Sequence, residues 1–230
     1  MNDPARRLTL SADTWDLLWS FVHRILVVNL GLVLGCLPLL IGLLAVAEPW
    51  RYPIFFGLLA VLAGPAVAAA FSYLNEEDSR PPVRLFVRAY RRHWRRALAV
   101  AAVVTALVGV LVADIAMLYD AMPGAALVPL LVVLAVLLVS AGSCALALLP
   151  DSNLGLRSVA RVAVYAAVRG WQWSLVSLVV AVVALVLVNQ APLLGLTTVP
   201  GCAAWVMLIN ARFQLNALSL SVVRVGQPPV

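Results

Sequence analysis

Long apolar runs alternate with short polar breaks along the whole chain. Six runs are long enough to be read as membrane spans, since a helix needs roughly 20 residues to cross about 30 Å of hydrocarbon. Proline and glycine gather in the breaks, where they end helices through a missing N–H or a high backbone entropy. The pattern predicts an all-α polytopic membrane protein, a bundle of about six transmembrane helices within a single integral membrane domain, 1–230. The predicted spans are approximately 21–46, 53–74, 97–119, 127–149, 173–190 and 194–220.

Two connectors between these runs, 82–96 and 154–170, are amphipathic with a helical period. At 100° per residue, all six arginines of the first connector fall within an arc of roughly 140°. These are Arg84, Arg88, Arg91, Arg92, Arg95 and Arg96. Phe86, Val87, Tyr90, Trp94 and Ala97 take the opposite side. We therefore expect interfacial helices in the inner headgroup layer, with Tyr90 and Trp94 at the membrane boundary.

The arginines of the first connector have three possible roles. They can anchor the chain to a lipid bilayer with anionic headgroups, which attract basic residues near the surface. They can instead form a docking face for a cytoplasmic or membrane partner. The third role, nucleic-acid binding, is not expected, because the sequence has no recognition motif and a neighbouring bilayer would block a groove. Anchoring and docking both stay open.

Composition and charge support the membrane assignment and add an orientation. Hydrophobic residues make up 64% of the chain and charged residues 11%, whereas soluble domains carry about 25% charged residues. All 16 basic residues are arginine, and Arg51 alone falls in a connector on the opposite side from the others. Because cytoplasmic loops carry the excess of positive charge, we expect a multi-pass protein of the cell's inner (plasma) membrane with both termini in the cytoplasm.

The sequence shows no arrangement of residues that would support catalysis, a cofactor or a metal. Cys36, Cys144 and Cys202 lie far apart in predicted spans without histidine companions, so buried structural thiols are expected. A phosphate-binding Gly-Lys loop is excluded because the chain has no lysine. We expect a non-enzymatic protein without catalytic residues, cofactors or metal sites. The acidic run 76–78 is expected to form a solvated cap above the arginine helix.

Five polar side chains fall at predicted membrane depth, where such groups are costly and therefore informative. They are Asn29, Asp114, Asn210, Arg212 and Gln214. For the three amides, hydrogen bonding between helices is favoured over a substrate path. The Arg212 side chain can extend toward the inner surface or pair with a partner subunit. Asp114 is expected near the outer interface, where it can accept a hydrogen bond.

Several ordered stretches resemble landmarks of the YesL-like family of bacterial membrane proteins. They are "NLGLVLGCLPLL" (29–40), "GPAVAAAF" (64–71), "VRLFVRAYRRHWRRAL" (83–98) and "GVLVADIAML" (109–118). The stretch "LRSVARVAVYAAVRG" (156–170) is similar to the family's second connector. One departure is the long segment between Leu37–Pro38 and Gly64–Pro65–Ala66, which exceeds what the family shows. The family has no established activity and supplies no catalytic residues.

The resemblance implies an accessory role in carbohydrate uptake, because such proteins are often encoded beside carbohydrate ABC importers. The resulting hypothesis is a non-enzymatic accessory or scaffold component of carbohydrate ABC import or its regulation. Its expected partners are ABC importer permease subunits, and small residues at 63–70 would also allow a homo-oligomer. The alternative is a small autonomous transporter or channel with a polar path near Asn29, Asn210 and Gln214.

Overall fold

The computed structural model describes residues 4–46, 48, 51–75, 82–119, 124–150, 155–190 and 192–225. Some helical stretches within these ranges, including 4–14, 192–198 and 216–225, are described by their backbone alone. All regular structure in the described residues is helical, which confirms the all-α class. The helices are α1 (Pro4–Gly35), α2 (Leu37–Ala45), α3 (Pro53–Asn75), α4 (Pro82–Tyr119), α5 (Val128–Leu148), α6 (Leu156–Arg169), α7 (Trp171–Gln190) and α8 (Pro192–Val225). The predicted acidic cap, 76–78, lies outside the described residues.

The first predicted span is a bent pair of helices. The axes of α1 and α2 differ by 58° at the break between Gly35 and Leu37. Pro38 stands in the first turn of α2, where its missing N–H is tolerated but its ring prevents α1 from continuing straight. The Cys36 N–H still donates to the Leu32 carbonyl at 2.8 Å, so the break costs little hydrogen bonding.

The first amphipathic connector and the third predicted span form one unbroken helix, α4. No proline or glycine lies between Pro82 and Gly109, so nothing in the sequence interrupts the helix near Ala97. The 38 residues would extend about 57 Å at 1.5 Å per residue. This length exceeds the roughly 30 Å of a hydrocarbon core. If α4 crosses a membrane, the arginine segment would therefore extend beyond the hydrocarbon.

The second connector behaves differently from the first. Helix α6 ends at Arg169 and α7 begins at Trp171, with 92° between their axes. Gly170 closes the last turn of α6 by donating its N–H to the Ala166 carbonyl at 2.8 Å. The predicted interfacial helix 154–170 is therefore a separate element that meets the next span at a right angle.

Several described helices could span a membrane. Three of them, α3, α4 and α5, are individually long and apolar enough to do so. The number rises to five if the bent pairs α1–α2 and α6–α7 each count as one span. The sixth predicted span, 194–220, falls in α8, whose side chains are described over 199–215. Its membrane crossing, and with it the predicted total of six, stays a prediction.

The buried core lies toward one end of the bundle. In α3 the buried residues run from Gly64 to Tyr73, and in α5 they run from Ser140 to Ala147. Alanine dominates these segments, which lets the helices approach closely without a large side-chain entropy cost. By contrast, 6% of the most apolar 18-residue stretch of α4 is buried, whereas 39% of the corresponding stretches of α3 and α5 is buried. The other end therefore exposes aliphatic side chains, as lipid contact requires.

Candidate functional site

The arginine face of α4 comprises Arg84, Arg88, Arg91, Arg92, Arg95 and Arg96, and all six side chains are exposed. In the part of the chain that the structure describes, a salt bridge joins the side chains of Arg51 and Glu48 at 2.6 Å. It does not involve the arginine face. Arg95 lies over the Trp94 ring, with 5.5 Å from its guanidinium carbon to the ring centroid, a cation–π contact. The face thus presents a dense positive charge without a described carboxylate partner.

The opposite side of α4 is divided between protein contact and exposure. Phe86 and Ala97 are buried, as are Leu85 and Ala89, which the helical wheel had not singled out. Val87, Tyr90 and Trp94 are exposed. A rim of exposed aromatic groups therefore lies between the buried stripe and the arginine face, where lipid or a partner would be in reach. Contact of these aromatic and arginine residues with lipid or a partner stays a prediction.

Close packing against α1 and α3 fixes the rotation of α4. A Cβ at Gly31 would overlap the Phe86 ring, and a Cβ at Gly64 would overlap Ala101 of α4. Likewise, a Cβ at Gly35 would overlap the side chain of Ala66. These glycines lie in the family-like stretches 29–40 and 64–71, so the three landmark segments meet at one junction. Their function in the fold is to allow helices to approach more closely than any side chain permits.

A small polar pocket opens where α4 meets the end of α3. It has a volume of about 110 Å³. Its lining residues are Ser72, Asn75, Leu85, Arg88, Ala89, Arg92, His93 and Pro150. Arg212 of α8 reaches the same end of the bundle and donates from Nη2 to Oδ1 of Asn75. Residues from α3, α4, α8 and the end of α5 therefore converge at this position, which we call the arginine end of the bundle.

An apolar groove of about 350 Å³ lies between α1 and α4. Aliphatic and aromatic side chains form most of its walls, and Arg91 is the charged residue among those that line it. A shallower surface depression lined by Arg84, Arg88, Arg91 and Arg92 adjoins it through Val83 and Val87, which line both. The arginine face therefore borders both a polar pocket and a hydrocarbon-like groove.

Asn29, predicted to lie in the first span, is 2% exposed and joins α1 to α8. Its Oδ1 accepts a hydrogen bond from the Gly201 N–H at 2.5 Å. Pro200 precedes Gly201 inside α8, and a proline in a helix displaces the regular backbone bonding around it. The amide of Asn29 therefore satisfies a backbone donor next to this irregularity.

Asn210 and Gln214 make a second set of buried hydrogen bonds at the junction of α6, α7 and α8. Asn210 Nδ2 donates to Ser177 Oγ at 3.2 Å. Gln214 Oε1 accepts from the Cys144 thiol at 2.8 Å, and its Nε2 approaches Ser174 Oγ and the Gly170 carbonyl at 3.5 Å each. Both amides are at least 96% buried. The network therefore holds the right-angle break at Gly170 in place.

The remaining predicted polar residues lie on exposed surfaces. Asp114 is exposed, near the α4 end opposite the arginine face. The exposed Arg212 side chain pairs with Asn75 within the same chain, an interaction that we had not expected. Pairing of Arg212 with a partner subunit is not needed to explain its position.

The three cysteines differ in their surroundings. Cys144 is buried, Cys36 is partly buried at the α1–α2 break, and Cys202 is exposed. The prediction of a buried thiol is therefore wrong for Cys202, because its side of α8 faces outward. Among the described side chains, no group of three or more histidine, cysteine or acidic residues could hold a metal ion.

Several structural partners were missed because they are small polar residues that look unremarkable within apolar helices. They are Ser72, Asn75, Ser174 and Ser177. Ser174 and Ser177 lie three residues apart on one face of α7, and this spacing is a usable signal for an interhelical polar contact. Asn75 carries no such signal, since its partner Arg212 lies 137 residues away.

Comparison with known proteins gives one match. The family model described as a protein of unknown function, DUF624, matches residues 15–115. No curated protein and no solved structure matches the chain. The matched range contains the glycine junction and the whole arginine face. The region of this chain that carries the candidate site is therefore similar to the DUF624 family.

Proposed function

We propose that the protein is a non-enzymatic accessory or scaffold component of the membrane, which docks a partner through the arginine face of α4. The observation that carries this proposal is six exposed arginines on one rigid helix, without a salt bridge to any described carboxylate. A face of this kind steers and orients an acidic partner, because charge complementarity raises association rates and fixes register.

The rigid setting of α4 supports a docking role. Its buried stripe fits against Gly31 and Gly64, where additional side-chain atoms would clash. The backbone positions from which the arginines project are consequently fixed relative to the rest of the bundle. A preorganised charged surface loses less entropy on binding than a flexible loop would.

The expected partners are permease subunits of carbohydrate ABC importers, and the support for this choice is the resemblance to the YesL-like family. A second copy of the chain is the other expected occupant. The alternative hypothesis, a transporter with a polar path near Asn29, Asn210 and Gln214, receives less support. These three amides make hydrogen bonds between helices, which is how polar groups stabilise helix packing in a membrane.

The test is a mild-detergent purification of the tagged protein from its native membranes, followed by identification of the bound proteins. The informative variant is R84Q/R91Q/R95Q, which removes outward charge from α4. The matched control is R157Q/R161Q/R169Q, which removes three exposed arginines from α6.

Recovery of permease subunits with the wild type and the α6 control, but not with the α4 variant, supports docking through the arginine face. Recovery of the same proteins with all three forms would refute it. Membrane insertion of each variant is checked by its resistance to extraction at high salt and alkaline pH. Recovery of the chain alone would also refute the accessory role.

A further inference from the structure

We infer that the polar pocket at the arginine end of the bundle binds one phosphate group. The pocket uses Arg88 and Arg92 of the arginine face. The docking variant R84Q/R91Q/R95Q leaves both in place, so the two proposals are tested separately. The polar lining of the pocket consists of Ser72, Asn75, Arg88, Arg92 and His93. Pro150 contributes to its apolar wall.

The chemistry of the lining selects an anion. Arg88 and Arg92 lie one helical turn apart on α4 and both line the pocket. Arginine presents a planar set of donors that matches the oxygens of phosphate, and it keeps its charge at any physiological pH. Among the described residues that line the pocket, none is a carboxylate that would neutralise these charges.

The hydrogen bond between Arg212 and Asn75 prepares a further donor. Arg212 Nη2 donates to Oδ1 of Asn75, so the amide oxygen is already engaged. The amide nitrogen, which can only donate, is the remaining polar atom of this side chain. The positive charge of Arg212, which is in contact with Asn75, also favours a negative ligand near that side chain.

Ser72 adds a donor at the deep side of the pocket. Its side chain is 4% exposed, one turn before Asn75 on α3. A hydroxyl can rotate its proton toward an acceptor at little cost. The pocket thus combines a buried hydroxyl, an oriented amide and two guanidinium groups from two packed helices.

The size of the pocket limits the ligand. Its volume is about 110 Å³, several times the roughly 10–15 Å³ that a single water molecule needs. Sites for whole small molecules span about 300–1,000 Å³. A tetrahedral phosphate group therefore fits inside, while the rest of a larger molecule would remain outside. The phosphate can belong to a phospholipid headgroup or to free inorganic phosphate.

The arginine face contains its own matched control. Arg88 and Arg92 line the pocket, whereas Arg84 and Arg91 share the helix and its exposed depression but not the pocket. The variants R88Q/R92Q and R84Q/R91Q remove the same total charge from neighbouring positions. Any effect of net charge alone is therefore equal in the two variants.

The first measurement is calorimetric titration of inorganic phosphate into the full-length protein in a neutral detergent. The second is native mass spectrometry of the same protein with short-chain phosphatidic acid, with phosphatidylcholine as the zwitterionic comparison. For whichever phosphate source binds, we expect R88Q/R92Q to weaken binding by about tenfold or more, because charge-assisted hydrogen bonds are lost. R84Q/R91Q should change it by less than about threefold.

Binding of inorganic phosphate with this variant pattern supports the site and identifies a soluble ligand. Binding of phosphatidic acid alone, with the same pattern, supports the site and identifies a lipid headgroup. Equal losses in both variants would overturn the proposal, since binding would then follow overall charge. A thermal unfolding curve for each variant shows that it is folded.

The acidic run 76–78 gives one more decisive outcome. These residues follow Asn75 directly in the sequence. If their carboxylates fill the pocket, the wild type should bind neither probe, and binding should appear in E76Q/E77Q/D78N. That result would overturn the proposal by showing that the chain's own acids are the ligand. S72A provides a last check, because removing the deep hydroxyl should weaken phosphate binding without changing the charge.

Discussion

Arg212 of α8 donates a hydrogen bond to Asn75 at the end of α3, and the two residues are 137 positions apart in the sequence. The contact is exposed, which reduces its strength relative to a buried charged pair. It nevertheless determines which atoms of Asn75 remain for other interactions. It also gives a structural reason for the arginine at position 212 of α8.

The pair can be measured by a double-mutant cycle. R212Q and N75A should each lower the thermal unfolding temperature slightly, because each removes one partner of the same bond. The double variant should be about as stable as the less stable of the two single variants. The effects of the single substitutions should therefore depart from additivity by a coupling energy of about 0.5–1.5 kcal/mol. Strictly additive effects would contradict a direct interaction in the folded protein.

The close contact of α3 with α4 predicts opposite results at two glycines of α3. G64A should lower the free energy of unfolding by about 1–3 kcal/mol, because its Cβ would overlap Ala101 and force the helices apart. G57A should be neutral or stabilising by up to about 1 kcal/mol, since the nearest atom to its Cβ is a Thr105 methyl at 3.7 Å. Unfolding of both variants in the same detergent provides the comparison. Equal stabilities would show that α4 lies farther from Gly64 than the structure indicates.

The network at the α6–α7 break predicts a difference between two thiols. C144A should destabilise the protein, because Gln214 loses a buried hydrogen-bond donor and the pocket around Sγ is left empty. The expected loss is about 1–3 kcal/mol. C202A should have little effect, since Cys202 is exposed. Thermal unfolding in detergent measures both, and a larger loss in C202A would contradict the assignment.

The chain orientation can be tested by labelling introduced cysteines in a variant whose three native cysteines are alanine. A membrane-impermeant maleimide added to intact cells should label A121C, which follows the third predicted span. It should not label N153C or V230C, because the excess of arginine predicts cytoplasmic positions for both. Labelling of V230C from outside would indicate five spans instead of six. Labelling of all three after cell lysis serves as the control.

Local pattern was sufficient for the helical class and for the position of the arginine face, but not for the joining of 82–96 and 97–119 into one helix. Hydropathy and a 3.6-residue period depend on neighbouring residues, so the sequence predicts spans and an amphipathic segment directly. The sequence does carry a signal for this joining, because Gly109 is the first glycine or proline after Pro82. The bend at Cys36 agrees with Pro38, which cannot continue a straight helix.

The division of the arginines could not be predicted, because it depends on how α4 is rotated against α3. On a helical wheel, Arg88 and Arg92 are indistinguishable in kind from Arg84 and Arg91. Their separation arises from contacts at Gly31 and Gly64, which involve residues far away in sequence. The amides of α8 were expected to bond between helices, yet their partners follow from helix register and not from composition.

The unbroken course of α4 has a mechanical consequence. The arginine segment and the apolar segment belong to one continuous helix, with 26 residues, or about 39 Å at 1.5 Å per residue, from Arg88 to Asp114. A ligand or partner that changes the tilt of this helix at its charged end would also move its far end, because no break in the backbone separates the two. Occupancy on one side of a membrane would thereby be registered as movement on the other side.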